Sequence, residues 1–146
     1  MIPSLLNFEL GGYFGRSHSF ELKNKSPILV YTCSDHNQME SPPISLNPSK
    51  EKWDRFLKEC DRIDIWSWES QYQFKGAIMD GSHWSLHIEY GHQKVKTSGS
   101  NAYPGEESDF VEETPTFKAF KRAIWQLVEG LPSPANVDND KEYGNI

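Results

Sequence analysis

The chain has 146 residues, of which 36% are hydrophobic, 13% aromatic and 25% charged, with a formal net charge of -6. That length suits a single domain and buries roughly 68 to 70% of the unfolded chain's surface. The acidic balance disfavours direct nucleic-acid binding and adhesion to anionic membrane, and no stretch reaches the ~18 apolar residues of a membrane span.

The opening residues carry no basic, apolar leader, and Cys33 and Cys60 are too few for a disulfide framework, so the expected setting is a reducing cytoplasm. Residues 1–132 read as one domain and 133–146 as a flexible polar tail, because Asn136, Asp138, Asn139, Asp140 and Gly144 have almost nothing to bury.

Phe8 and Leu10 alternate with polar neighbours, as do Phe20 and Leu22, which predicts two half-buried strands on either side of a glycine-rich turn. Ile28 to Cys33 predicts a third strand. The polar, proline-bearing stretch from Ser34 to Pro48 reads as a loop. Asn47-Pro48 then has the form of a helix start, and Trp53, Phe56, Leu57 and Cys60 follow at i, i+3, i+4 and i+7, the apolar stripe of an amphipathic helix.

Ile63-Asp64-Ile65-Trp66-Ser67-Trp68 alternates again and predicts a fourth strand. Tyr72, Phe74, Gly76 and Ile78 predict a strand joined through Asp80-Gly81 to a return carrying Trp84, Leu86, Ile88 and Tyr90. Gly91-His92 turns the chain into a weaker strand around Val95. Residues 98–113 form a long loop, acidic at Glu106, Glu107, Asp109, Glu112 and Glu113. Thr114-Pro115 caps a second amphipathic helix carrying Phe117, Phe120, Ile124, Leu127 and Val128, stopped by Gly130 and Pro132.

The expected fold is therefore α+β, an antiparallel sheet of about six or seven strands with two amphipathic helices on one face. Each half runs through strands into a proline-initiated aromatic helix, and Gly15-Arg16-Ser17-His18 echoes Gly81-Ser82-His83-Trp84, so an internal duplication is a further expectation.

Chemistry-bearing groups are sparse. On a strand His83 and His87 stand about 13 Å apart, too far to share one ion, so no metal site is expected and no cofactor motif is present. Cys33-Ser34-Asp35-His36 has no further ligand pair, and Asp80 is explained by turn chemistry. The aromatic residues carry more information. If Ile63 and Ile65 face the core, Trp66 and Trp68 face the other side of the sheet; the opposite assignment is equally compatible with the pattern. Candidate binding residues are Trp66, Trp68, Tyr72, Asn101, Tyr103, Glu106, Glu107 and Asp109.

Trp68-x3-Tyr72, Asp80-Gly81-x2-Trp84 and Gly99-x-Asn101-x-Tyr103-Pro104, followed by the helix from Phe117 to Val128, resemble a family of small uncharacterised bacterial cytoplasmic proteins. The likeness spans residues 53 to 128 and implies a bacterial or phage setting without implying a reaction.

Acidic charge, aromatic surface candidates and the lack of a catalytic motif favour a non-enzymatic binding or inhibitor protein, of the immunity type that neutralises a basic protein partner. The alternative is a small-molecule-binding or hydrolytic domain with a pocket between the sheet and the 98–113 loop. A symmetric homodimer that hides Trp66 and Trp68 is a third outlet.

Overall fold

A computed structural model describes residues 2–12, 17–23, 27–34, 42–73, 82–105 and 113–128. The strands are β1 (Leu5–Gly12), β2 (Ser17–Leu22), β3 (Leu29–Ser34), β4 (Ile44–Leu46), β5 (Gln71–Gln73), β6 (Ser82–Tyr90) and β7 (Gln93–Ser100). Helix α1 (Lys50–Arg62) follows β4, and α2 (Pro115–Leu127) follows β7. The strands form one seven-stranded sheet in the order β4-β3-β2-β1-β6-β7-β5, antiparallel throughout except where β5 runs parallel to β7. This is an α+β fold.

Alternation decides which face is covered. Leu6 and Phe8, Phe20 and Leu22, Leu29 and Tyr31, and Trp84, Leu86 and Ile88 are buried on one side, while their sequence neighbours point the other way. Register keeps these residues together, since Phe8 stands opposite both Phe20 and Leu86. Both helices lay their apolar stripes on that side. Phe120 of α2 meets Phe8 edge-on at 5.0 Å between ring centroids and Phe56 of α1 at 6.0 Å. Burying each such ring removes about 150–250 Å² from water, so this aromatic layer carries much of the stabilisation.

The helix starts show how local chemistry sets the boundaries. Thr114 caps α2 as expected, its hydroxyl accepting from the Phe117 amide at 3.1 Å with Pro115 in the first turn. For α1 the cap is Ser49 rather than Asn47. Its Oγ accepts from the Lys52 amide at 3.2 Å, which leaves Pro48 outside the helix. Serine satisfies an orphan first-turn amide as well as asparagine does.

Three other expectations are corrected. The stretch Ile63 to Trp68 is not a strand. Asp64 adopts left-handed backbone (φ 53°) after α1, and Ile65–Ser67 forms a 3-10 turn in which the Trp68 amide donates to the Ile65 carbonyl at 3.1 Å. With three residues per turn, Ile65 and Trp68 come to one side, a spacing that alternation cannot reveal. Residues 34–48 are not wholly loop, because β4 pairs with β3 through Leu29 and Leu46. Finally, β5 does not pair with β6. It lies beyond β7, with Gln71 opposite Ser98.

Phe74, Gly76 and Ile78 of the expected hairpin, its Asp80-Gly81 turn, the Gly15-Arg16 echo, the Gly130-Pro132 stop and the 133–146 tail lie outside the described residues. The Gly91-His92 turn is present between Tyr90 and Gln93, with Gly91 at φ 61°.

Candidate functional site

The aromatic and turn-forming residues of the second half converge at one end of the sheet. Trp84 reaches from β6 toward the N-terminal turn of α2, where its ring lies 5.0 Å from that of Phe117. Tyr103 stacks on the same indole at 6.5 Å and an interplanar angle of 12°, and touches Phe117 at 4.7 Å. Trp68 closes the cluster edge-on, against Trp84 at 6.1 Å and Phe120 at 5.8 Å. Tyr72 adds a tilted contact to Trp84 at 6.0 Å.

The turn residues make this convergence sterically feasible. Gly99 stands opposite Trp84 in the ladder, and a Cβ there would lie 2.6 Å from indole Cε2. With glycine in place, the indole N–H passes over the backbone and donates to the Ala102 carbonyl at 2.9 Å. Asn101 takes left-handed backbone (φ 53°), a conformation asparagine tolerates better than most residues, and so turns Tyr103 inward. Tyr103 and Pro104 are buried. The Thr114 hydroxyl, besides capping α2, donates to the Pro104 carbonyl.

Polar contacts fix the edge of the sheet beside this cluster. The Thr97 hydroxyl donates to the Glu69 carbonyl, the Ser98 amide donates to the Ser70 carbonyl at 3.2 Å, and the Glu69 amide donates to the Tyr72 hydroxyl at 2.9 Å. Burial pushes the Tyr72 phenol above its ordinary value, against the opposing effect of that amide.

The expected site residues thus separate into three groups. Trp68, Tyr72 and Tyr103 belong to the aromatic cluster, with Asn101 shaping the turn that delivers Tyr103. Trp66 stands apart. It is half-buried, stacks on Tyr90 at 6.4 Å and donates from Nε1 to Asp61 at 2.8 Å. Both tryptophans therefore lie on the helix-covered side, packed against the core, and neither is on the opposite face of the sheet. Glu106, Glu107 and Asp109 lie outside the described residues, as does Glu112. The first described residue after them, Glu113, pairs with Lys121 of α2 at 2.9 Å.

The described residues on either side of 106–112 are held close together. Pro104 before it is bonded to Thr114 after it, and Glu113 is tied to α2.

The sequence reading missed a buried polar pair. His18 is 4% exposed, and its Nδ1 lies 2.7 Å from the Tyr31 hydroxyl, with Trp125 edge-on at 5.1 Å. The signal was available, because His18 has the same parity as Phe20 and Leu22. On the other face, exposed His83 lies 3.0 Å from the Ser100 hydroxyl, and His87 pairs with Glu89 at 2.9 Å. Among the described residues, no three His, Cys, Asp or Glu side chains converge as metal ligands would. No family of known proteins, no curated protein and no solved structure matched this chain.

Proposed function

We propose that this chain is a non-enzymatic binding protein of the immunity type, which presents the acidic segment 106–112 to a basic protein partner. The observation that carries this reading is the bond from the Thr114 hydroxyl to the Pro104 carbonyl, which ties together the two ends of that segment. Glu106, Glu107, Asp109 and Glu112 fall within it, and no lysine or arginine does.

A link between the residues that flank a binding segment favours binding, because it lowers the chain entropy that binding has to remove. Clustered acidic charge attracts a basic surface and speeds its association. The aromatic cluster contributes rigidity instead of contact area, since Trp84, Tyr103 and Phe117 fill the space between the sheet and the chain that follows β7, whose strand takes in residues 98–100 of the expected loop. That filling also supports the binding reading over a pocket at the same place.

The test is affinity purification of the tagged full chain from its source cells, alongside an E106Q/E107Q/D109N/E112Q variant. A basic protein recovered in stoichiometric amount with the wild type and lost with the variant is the expected result. No stoichiometric protein partner, or equal recovery with both chains, contradicts it.

A further inference from the structure

The helices cover one face of the sheet, and among the described residues no element packs on the other. Its side chains can be read directly from the pairing. Asn7 stands opposite Glu21 in β2 and opposite His87 in β6, and His87 stands opposite Lys96 in β7. All four alternate with buried residues, so they point away from the helices. Four adjacent strands therefore carry one straight row, Glu21, Asn7, His87 and Lys96, acidic at one end and basic at the other.

The adjoining row is Ser19, Glu9, Ser85 and Ser98, small hydroxyl side chains around a single carboxylate. The three short serine side chains leave room around Glu9 for a second sheet to approach. Glu89 pairs with His87 and stands opposite Lys94. Neither Glu21 nor Lys96 has a charged partner among the described residues.

A two-fold axis running along the strands between β1 and β6 would lay the same row, reversed, onto itself. It places β2 of one copy over β7 of the other and β1 over β6. Glu21 then meets Lys96 of the second copy, Asn7 meets His87, and Glu9 meets the Ser85 hydroxyl, each contact occurring twice by symmetry. We propose that this polar sheet face is the interface of a homodimer, held in register by the two reciprocal Glu21 to Lys96 pairs. The surface shares no residue with the acidic segment, so the dimer and the binding reading stand or fall separately.

The test is a charge reversal on the full chain, read by sedimentation equilibrium over a concentration series. Wild-type chain is expected at twice the chain mass. E21K and K96E each turn two attractive pairs into repulsive ones and should weaken the dimer on the order of tenfold or more. An equimolar mixture of the two variants restores opposite charges at both contacts and should return the dimer mass, as should the double variant E21K/K96E. Circular dichroism checks that each variant is folded. A monomeric wild type at every concentration overturns the proposal, as it would if the face were kept for another protein, and so does a dimer that survives either single reversal unchanged.

Discussion

The indole of Trp84 lies directly over Gly99, its opposite number in the next strand, and from there reaches the Ala102 carbonyl at 2.9 Å. A methyl group at position 99 would occupy the volume of the indole ring. Gly99→Ala should therefore displace Trp84, lose that hydrogen bond and disturb the stacking of Tyr103, at a cost of about 1–3 kcal/mol. Urea unfolding measures this, and an unchanged midpoint would show that the cluster does not depend on the glycine.

Thr114 serves both α2 and the chain that precedes it. Thr114→Ala removes the helix cap and should cost about 1–2 kcal/mol, whereas Thr114→Ser keeps the hydroxyl and should stay close to wild type. If both substitutions destabilise equally, the methyl group matters and the hydroxyl does not. The alanine variant should also bind a partner more weakly than its stability loss explains, because the segment 105–113 loses the bond between its ends.

Asp64 occupies left-handed backbone, where a β-branched side chain is strained. Asp64→Val should destabilise by about 1–2 kcal/mol, while Asp64→Gly should be neutral or better. A strand at Ile63 to Trp68 would rank the two substitutions the opposite way, so thermal melts of the pair separate the two conformations.

Glu59 has its carboxyl held below the ordinary value of 4.5, chiefly by the hydrogen bond from Arg62. A depressed folded value contributes stability above the unfolded value, lost as pH falls through the folded one. The stability difference between wild type and Arg62→Gln should thus be present at neutral pH and fade below about pH 4.5. Because Arg62 is exposed, the difference should be small and shrink in high salt. Urea midpoints of both proteins at pH 7 and pH 3 would decide it; an equal gap at both removes the pair as the cause.

Both cysteines are buried, and burial pushes the Cys60 thiol well above its ordinary value of 9.0. Neither should react with a thiol reagent in the folded protein, and both should react after unfolding. A thiol titrating at once in native buffer would contradict the packing of α1 or β3.

Much of this fold was legible because alternation and helical spacing report burial. Phe8, Phe20 and Leu86 announced their strands, and Trp53, Phe56, Leu57 and Cys60 announced α1. The two errors of strand assignment have opposite sign. Ile63 to Trp68 mimics a strand because a 3-10 turn repeats every three residues and six residues cannot separate the two periods, whereas Ile44 to Leu46 is too short and too close to prolines to show any period. The position of β5 beyond β7 depends on long-range pairing through Gln71 and Ser98, which no local pattern encodes.

At the candidate site the identities of Gly99, Asn101 and Tyr103 pointed to a shaped loop. Their purpose became clear only with Trp84 beside them, since a glycine is explained by what passes over it. The polar row from Glu21 to Lys96 was hidden for the same reason, being spread across four strands.

The most direct test of the proposed function is calorimetric titration of a purified partner into wild-type chain and into the E106Q/E107Q/D109N/E112Q variant, at low and at high salt. Neutralising the four carboxylates should weaken binding at least about tenfold and flatten its salt dependence. Equal affinity of the two proteins at both salt concentrations would contradict it.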